Sequence, residues 1–494
     1  MLQLITNASQ YLSNPAIVAE NRVYSYHDLL EASAQMASLL LGDASDLQET
    51  RIAYMVTPGF DYVRTQWGIW RAGGIAVPLC TTYPLPALQY VIEDTGAEIV
   101  IASQEYLSIL APLAHEKGFR FIILGGVEDE SVQLNPLPEL TPDRRAMILY
   151  TSGTTNLPKG VVTSHANLNA QISTLVEAWR WSFSDHVLCI LPLHHVHGII
   201  NVVSCALWSG ATVEFLTSFS AEGVFDAFLK GEINVFMAVP TIYFKLIAYW
   251  ESLPPDDQKR LSECMAKFRL MVSGSAALPV SVMKKWKDIS GHTLLERYGM
   301  TEIGMGISNP YQGERRAGHI GQPLPGVKIR LVDEQDQVLA SRQPGEIQVK
   351  GPGVFREYWN KPEATQKAFT EDRWFKTGDI ALVEDGYYRI LGRDSIDIIK
   401  SGGYKISALE IEEVLRTHPA IADCSVVGIP NEEWGELVAA VLVLQDSTLD
   451  VATLTTWLRE RIPAYKTPRQ YRIVIDLPRN AMGKVTKNDL KNIF

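Results

Sequence analysis

At 494 residues the chain exceeds what one hydrophobic core organises and calls for two or three domains. Its 46% hydrophobic and 20% charged residues are those of a soluble globular protein. A net charge of -11 argues against sequence-independent binding to nucleic acid or to anionic lipid.

The N-terminal stretch MLQLITNASQYLSNPAIVAE has neither a basic start nor a long apolar run, so it reads as no signal or transit peptide. No apolar run reaches bilayer-spanning length. The five cysteines, Cys80, Cys189, Cys205, Cys264 and Cys424, form no CxxC pair. Their scatter disfavours a zinc site or a disulfide framework and predicts a reducing compartment, the cytoplasm.

Apolar residues at helical spacing predict a helix over 24–41. Short apolar runs at 51–56, 73–79, 98–103 and 119–124 predict buried strands, and the pattern continues at 186–193, 211–216 and 233–239. Helices alternating with such strands predict α/β layers with substantially parallel sheets. From about 318 to 393 strands and turns dominate (328–334, 345–351, 385–392), which predicts a β-rich subdomain. A break near Gly392–Ser395 separates a large unit, 1–393, from a small α+β unit, 394–494. In the latter, 407–419 and 453–463 read as helices, and 423–430 and 438–444 as strands.

Tyr150-Thr151-Ser152-Gly153-Thr154-Thr155-Asn156-Leu157-Pro158-Lys159-Gly160 follows the apolar run 146–149. Hydroxyls, glycines and backbone N–H groups after a strand can wrap a phosphate chain, and Lys159 adds a cation. The Walker pattern is absent. Leu191-Pro192-Leu193-His194-His195-Val196-His197-Gly198 gathers three histidines with no cysteine or carboxylate inside the motif, a poor zinc site. Gly274-Ser275-Ala276-Ala277 follows the run 269–273 and lets a flat ring approach closely.

The stretch 150–160 resembles the phosphate loop of the adenylate-forming superfamily, which comprises acyl-CoA synthetases, peptide-synthetase adenylation domains and luciferases. Asn156 stands where that loop usually has Gly, and Asn tolerates left-handed backbone angles. The resemblance continues in order along the chain. It implies that Gly274, Ser275 and Ala276 face adenine, as do Arg297, Tyr298, Gly299 and Met300 around the nucleotide. It makes Thr301 a ligand of the AMP phosphate, and Glu302 with Thr151 the holders of Mg²⁺. Asp379, in Trp374–Asp379, then takes the ribose hydroxyls, and Arg393 contacts ribose or phosphate. His195 lines the acyl site, while His194 replaces a common Phe and His197 has a structural alternative. Lys484, in Pro478–Lys484, reaches the α-phosphate region.

Asp394 and Ser395 are the hinge candidates by the same resemblance. Ser401, Gly402, Gly403, Tyr404 and Lys405 form the glycine loop that serves coenzyme A. The segment from Arg393 to Gly402 is one residue longer than the pattern, and Ala408 replaces the usual Pro. The implied substrates and cofactors are a small carboxylic acid, ATP, Mg²⁺ and coenzyme A. The implied reaction is adenylation of the acid followed by transfer to a thiol.

Longer stretches, among them LPLHHVHG, RLMVSGSAALP, ERYGMTEIGM and GERRAGHIGQPLPGV, resemble the malonyl-CoA and methylmalonyl-CoA synthetases. A dicarboxylate needs a cation facing its unreacted end, because a buried unpaired charge is costly. Arg297 is the candidate, with a structural ion pair as its alternative role and Arg315 and Arg316 as fallbacks. Met300, Gly304 and Met305 would shape the site. A medium-chain or aryl monocarboxylate and a separate carrier-protein acceptor remain competing readings, as does a light-emitting or non-catalytic relative. Intact Lys484, Glu302 and Asp379 oppose the non-catalytic one.

Overall fold

A computed structural model of the chain describes residues 2–125, 134–151, 158–340, 342–445, 449–479 and 484–494. Among the described residues the fold is mixed α/β with four sheets. A seven-stranded sheet has the strands Arg145–Thr151, Ile75–Pro78, Arg51–Met55, Ile99–Ala102 and Arg120–Ile123 as neighbours, with Lys159–Ser164 and Glu357–Tyr358 at one edge. A nine-stranded sheet runs Gln322–Pro323, Gly304–Ser308, Leu295–Met300, Leu270–Ser273, Val235–Ala238, His186–Cys189, Thr212–Phe215, Pro15–Ala19, Arg22–Ser25.

Both large sheets are buried on two faces, so their strands read as continuous apolar runs. The two-residue period then divides each strand between two cores. Val187, Val235, Met237 and Val272 face the same core as Ile52, Tyr54 and Met147 of the other sheet, with the helices Tyr26–Leu41, Phe60–Arg71 and His165–Ala178 between them. Leu188, Phe236 and Met271 face the opposite way, onto the helices Ala221–Leu229, Pro240–Ser252 and Val280–Ser290. Ala53, Met55 and Val77 do the same on the seven-stranded sheet. The result is five alternating layers.

Local signals start the central helices. Ser25 accepts from the Asp28 N–H and Asp28 accepts from the Ser25 N–H; Ser164 and Asn167 repeat that arrangement.

The strands Lys328–Val332, Gly345–Lys350, Phe375–Glu384 and Tyr387–Arg393 form an antiparallel sheet. Two strands of the 318–393 stretch depart from the β-rich unit expected there, and Gln322–Pro323, on the nine-stranded sheet, is one. Glu357–Tyr358 is the other and pairs with Lys159–Ser164, covering what would otherwise be an open sheet edge. From Ile398 onward the chain builds a separate five-stranded sheet. Its crossover from Gly435–Leu444 through the helix Val451–Arg459 to Gln470–Ile473 is parallel. It meets the rest of the chain through an apolar cluster of Ile398 with Leu382 and Leu391, and through charge. Glu413 accepts the Val280 N–H at the start of a helix (3.2 Å), and Arg389 pairs with Glu410 (3.1 Å).

Trp286 is fully buried, edge-on to Tyr243 with centroids 4.9 Å apart. Trp286→Ala is expected to cost ~3–5 kcal/mol, seen as an earlier urea midpoint by far-ultraviolet circular dichroism.

Candidate active site

The candidate residues collect where parallel strands of the nine-stranded sheet end, the usual place for a ligand in α/β sheets. Leu295–Met300 leads in with alternating side chains. The Tyr298 hydroxyl donates to Asp379 Oδ2 (2.6 Å), and Arg393 Nε donates to Asp379 Oδ1 (3.1 Å). Asp379 and Arg393 are directly opposed in an antiparallel pair, so strand register alone brings them together.

Glu302 follows in the turn after Met300 and is buried. It accepts the Tyr358 hydroxyl (2.9 Å) and forms no ion pair with a described residue. Burial pushes its carboxyl up, against hydrogen bonds from its own N–H and the Tyr358 hydroxyl and then the charge of Arg393. The Lys159 ammonium lies 5.1 Å from the centre of the Tyr358 ring. Thr151 is paired with Lys159 across the hairpin. Its hydroxyl and the Glu302 carboxylate are hard oxygen donors that suit Mg²⁺. A buried carboxylate without a cation of its own fits such an ion as well. The expected phosphate-loop residues Ser152, Gly153, Thr154 and Thr155 lie outside the described residues.

Arg297 points elsewhere. It is 3% exposed, and its Nε and Nη2 have no hydrogen-bond partner among the described residues. The structural ion pair weighed for it is therefore not formed with any described residue. A Cβ at Gly274 would stand 2.4 Å from the guanidinium carbon, so only glycine admits Arg297 here. Ser275, at φ +71°, places its hydroxyl 3.1 Å from His197 Nδ1. His194 and His195 rings lie 4.0 Å apart. Burial pushes His195 down to about 4 and His194 down to about 3. His197 is held well below its ordinary value by burial, then by the charges of Arg297 and His195. All three imidazoles are thus neutral at pH 7. Burial also pushes Arg297 down, to about 9. A guanidinium keeps its proton at neutral pH, so it stays a charged donor set in need of an anion. The fallback arginines are engaged otherwise. Arg315 donates to the carbonyls of Thr293, Pro310 and Tyr311, and Arg316 sits at the surface beside Glu314.

Gly402 and Gly403, at φ +56° and +82°, make the two-residue turn between Ile398–Ser401 and Tyr404–Ser407. Tyr404 is exposed and stacked on Tyr465, and Lys405 pairs with Glu334 (2.6 Å). The Asp394 N–H donates to the Gly378 carbonyl, and Ser395 is exposed. Lys484 is exposed too. Burial raises the Asp397 carboxyl, but the charge and hydrogen bond of Lys487, the Arg393 N–H and, last, the charge of Lys484 bring it below its ordinary value.

The family model for the AMP-binding enzyme matches residues 4–359. The chain belongs to the AMP-binding enzyme family. The model for the AMP-binding enzyme C-terminal domain matches residues 410–484. The chain is 44% identical to the mitochondrial malonate–CoA ligase of Bos taurus over 96% of its own length and 87% of that protein. It is 39% identical to the malonate–CoA ligase of Arabidopsis thaliana over 98% and 87%. ATP-bound MatB from Rhodopseudomonas palustris matches with a TM-score of 0.92 at 33% identity, over 100% of this chain and 98% of that one. No described helix of this AMP-binding enzyme is long and apolar enough to cross a membrane.

Sequence reading alone misses Tyr358, which touches both Glu302 and Lys159. Its strand is two residues long and carries no period. It also misses Glu296, one residue before Arg297. Burial, and then the charge of Glu413, push the Glu296 carboxyl up to about 8 against a hydrogen bond from the Leu278 N–H. Between the ordinary carboxylate value of about 4.3 and that value, the native state holds a proton that the unfolded chain has released. Stability therefore falls as pH rises through this window. Glu296→Gln removes the titration. Its urea midpoint is expected to exceed the wild type's at pH 8.5 by more than at pH 4.5. A gap that stays constant with pH would exclude a raised Glu296.

Proposed function

We propose that this chain is an AMP-forming acid:coenzyme A ligase acting on malonate or methylmalonate. The observation that carries the acid is Arg297: a buried guanidinium whose Nε and Nη2 have no partner among the described residues, beside neutral imidazoles. A dicarboxylate places one carboxylate on that fork, which grips planar carboxylates well. The other is left to react. The relatives named malonate–CoA ligases support the same reading, at 44% and 39% identity over nearly the whole chain.

The chemistry follows from the remaining residues. The free carboxylate attacks the α-phosphorus in line, pyrophosphate leaves, and the acyl-adenylate forms. Asp379, already aimed by Tyr298 and Arg393, accepts the ribose hydroxyls and fixes the nucleotide. Glu302 and the Thr151 hydroxyl would hold Mg²⁺, which would offset phosphate charge. Thr301 and Lys484 supply donors where charge grows on the α-phosphate. His195 lines the acyl side as a neutral imidazole. The coenzyme A thiolate then attacks the acyl carbon and AMP leaves. We assign the hinge to Asp394 or Ser395, with 1–393 and 394–494 as the two moving units. The Gly402-Gly403 turn serves the second step. Five free cysteines support a reducing compartment, the cytoplasm among them.

Arg297→Ala is expected to lower kcat/KM for malonate roughly 100-fold and to spare acetate, in an assay of ATP-dependent CoA-ester formation over malonate, methylmalonate, acetate, octanoate and benzoate. Unchanged malonate kinetics would remove Arg297 from this role. Lys484→Ala is expected to lower malonate-dependent ATP–pyrophosphate exchange ~100-fold or more. Gly402→Val, whose side chain meets Trp434, should instead spare exchange and slow thioester formation. The reverse pattern would overturn the division of labour.

A further inference from the structure

Lys487 stands three residues beyond Lys484, at the start of the short helix Lys487–Lys491, and is only 9% exposed. Its ammonium lies 2.7 Å from Asp397 Oδ1 and 2.7 Å from Glu412 Oε1. Glu412 is held in turn by the Val426 N–H (2.8 Å) and by Arg416 (3.2 Å). Asp397 faces the other way as well. Its Oδ2 accepts the Arg393 N–H (3.0 Å), and its own N–H closes a turn on the Arg393 carbonyl (2.8 Å). The approach is tight, because a Cβ on Gly392 would stand 2.3 Å from Asp397 Cβ.

An unbroken path of hydrogen bonds and ion pairs thus runs from Tyr298 through Asp379, the Arg393 side chain and backbone, and Asp397 to Lys487. Stability alone is a weak reason for it. A buried ion group often contributes no more than apolar residues of the same volume. What it does supply is fixed geometry. Around Lys484 the other described backbone ties are short ones, an Arg479–Val485 bridge and the Thr486 N–H on the Pro478 carbonyl (2.9 Å).

We infer that Lys487 is a positioning residue for adenylation: through Asp397 it ties the segment bearing Lys484 to the same turn that aims Arg393. Lys484 and the ribose-binding pair are then referenced to one point. The inference rests on the assignment of Lys484 to the adenylation step.

The test uses the full-length enzyme and two half-reactions: malonate-dependent ATP–pyrophosphate exchange, and CoA-ester formation from supplied acyl-adenylate. Asp397→Asn keeps the size of the side chain and an acceptor for the Arg393 N–H, and leaves Lys487 paired with Glu412. Lys487→Met removes the cation, and Lys487→Arg restores it. Asp397→Asn and Lys487→Met are expected to lower the kcat of exchange about 10- to 100-fold, the cost of misplacing a group by ~1 Å. KM for ATP should stay within about threefold, a shift worth less than ~0.7 kcal/mol. Lys487→Arg should recover most of the rate, and use of the supplied adenylate should be spared. If Lys487→Met does not fold, Asp397→Asn decides. Wild-type exchange in Asp397→Asn, or an equal loss in both half-reactions, would overturn the inference. Lys484→Ala is run alongside. Exchange surviving that change sinks the assignment of Lys484 itself, whereas its loss together with a normal Asp397→Asn sinks only the role of Lys487.

Discussion

Taking a guanidinium out of water costs several kcal/mol unless a counter-charge comes with it. Arg297 is taken out of water without such a partner among the described residues, and much of the nearby architecture serves that placement. Gly274 gives up its side chain so that the guanidinium fits. Ser275 adopts a left-handed backbone that turns its hydroxyl to His197. The three imidazoles stay neutral, so they add polarity without repelling the cation. The surroundings leave a positive site whose deficit an incoming anion can make good.

Much of this architecture is legible in the sequence, for identifiable reasons. Strands buried on both faces appear as unbroken apolar runs, as at 51–56 and 233–239, and the helix over 24–41 shows its period and its Ser25 cap. Tyr298, Glu302, Asp379 and Arg393 stand in motifs far apart in the chain, and strand register draws them into one cluster. Other features leave no mark. The chain from His197 to Ser204 winds as a π-helix, a wide turn often found at functional sites, and no residue pattern announces it. The strand Glu357–Tyr358 is too short to show an alternation. The unpaired state of Arg297 depends on what packs around it, which no local pattern encodes.

Two electrostatic strategies sit side by side. Around Arg297 a charge has no partner among the described residues. Around Lys487 every charge has its opposite, in a chain that passes from the four-stranded sheet into the C-terminal one. The first arrangement selects a ligand and the second holds a geometry. Both depend on burial, since water would screen either one to little effect.

The placement of Tyr358 has a mechanical consequence. Its strand is stitched to Lys159–Ser164, while its hydroxyl holds Glu302, which follows a strand of the nine-stranded sheet. The acid and the hairpin lysine therefore share one frame of reference, although they come from different sheets. If the two large sheets slide against each other with thermal motion, Tyr358 carries the displacement to Glu302 and Lys159 together. Their separation is then buffered against breathing of the layered core.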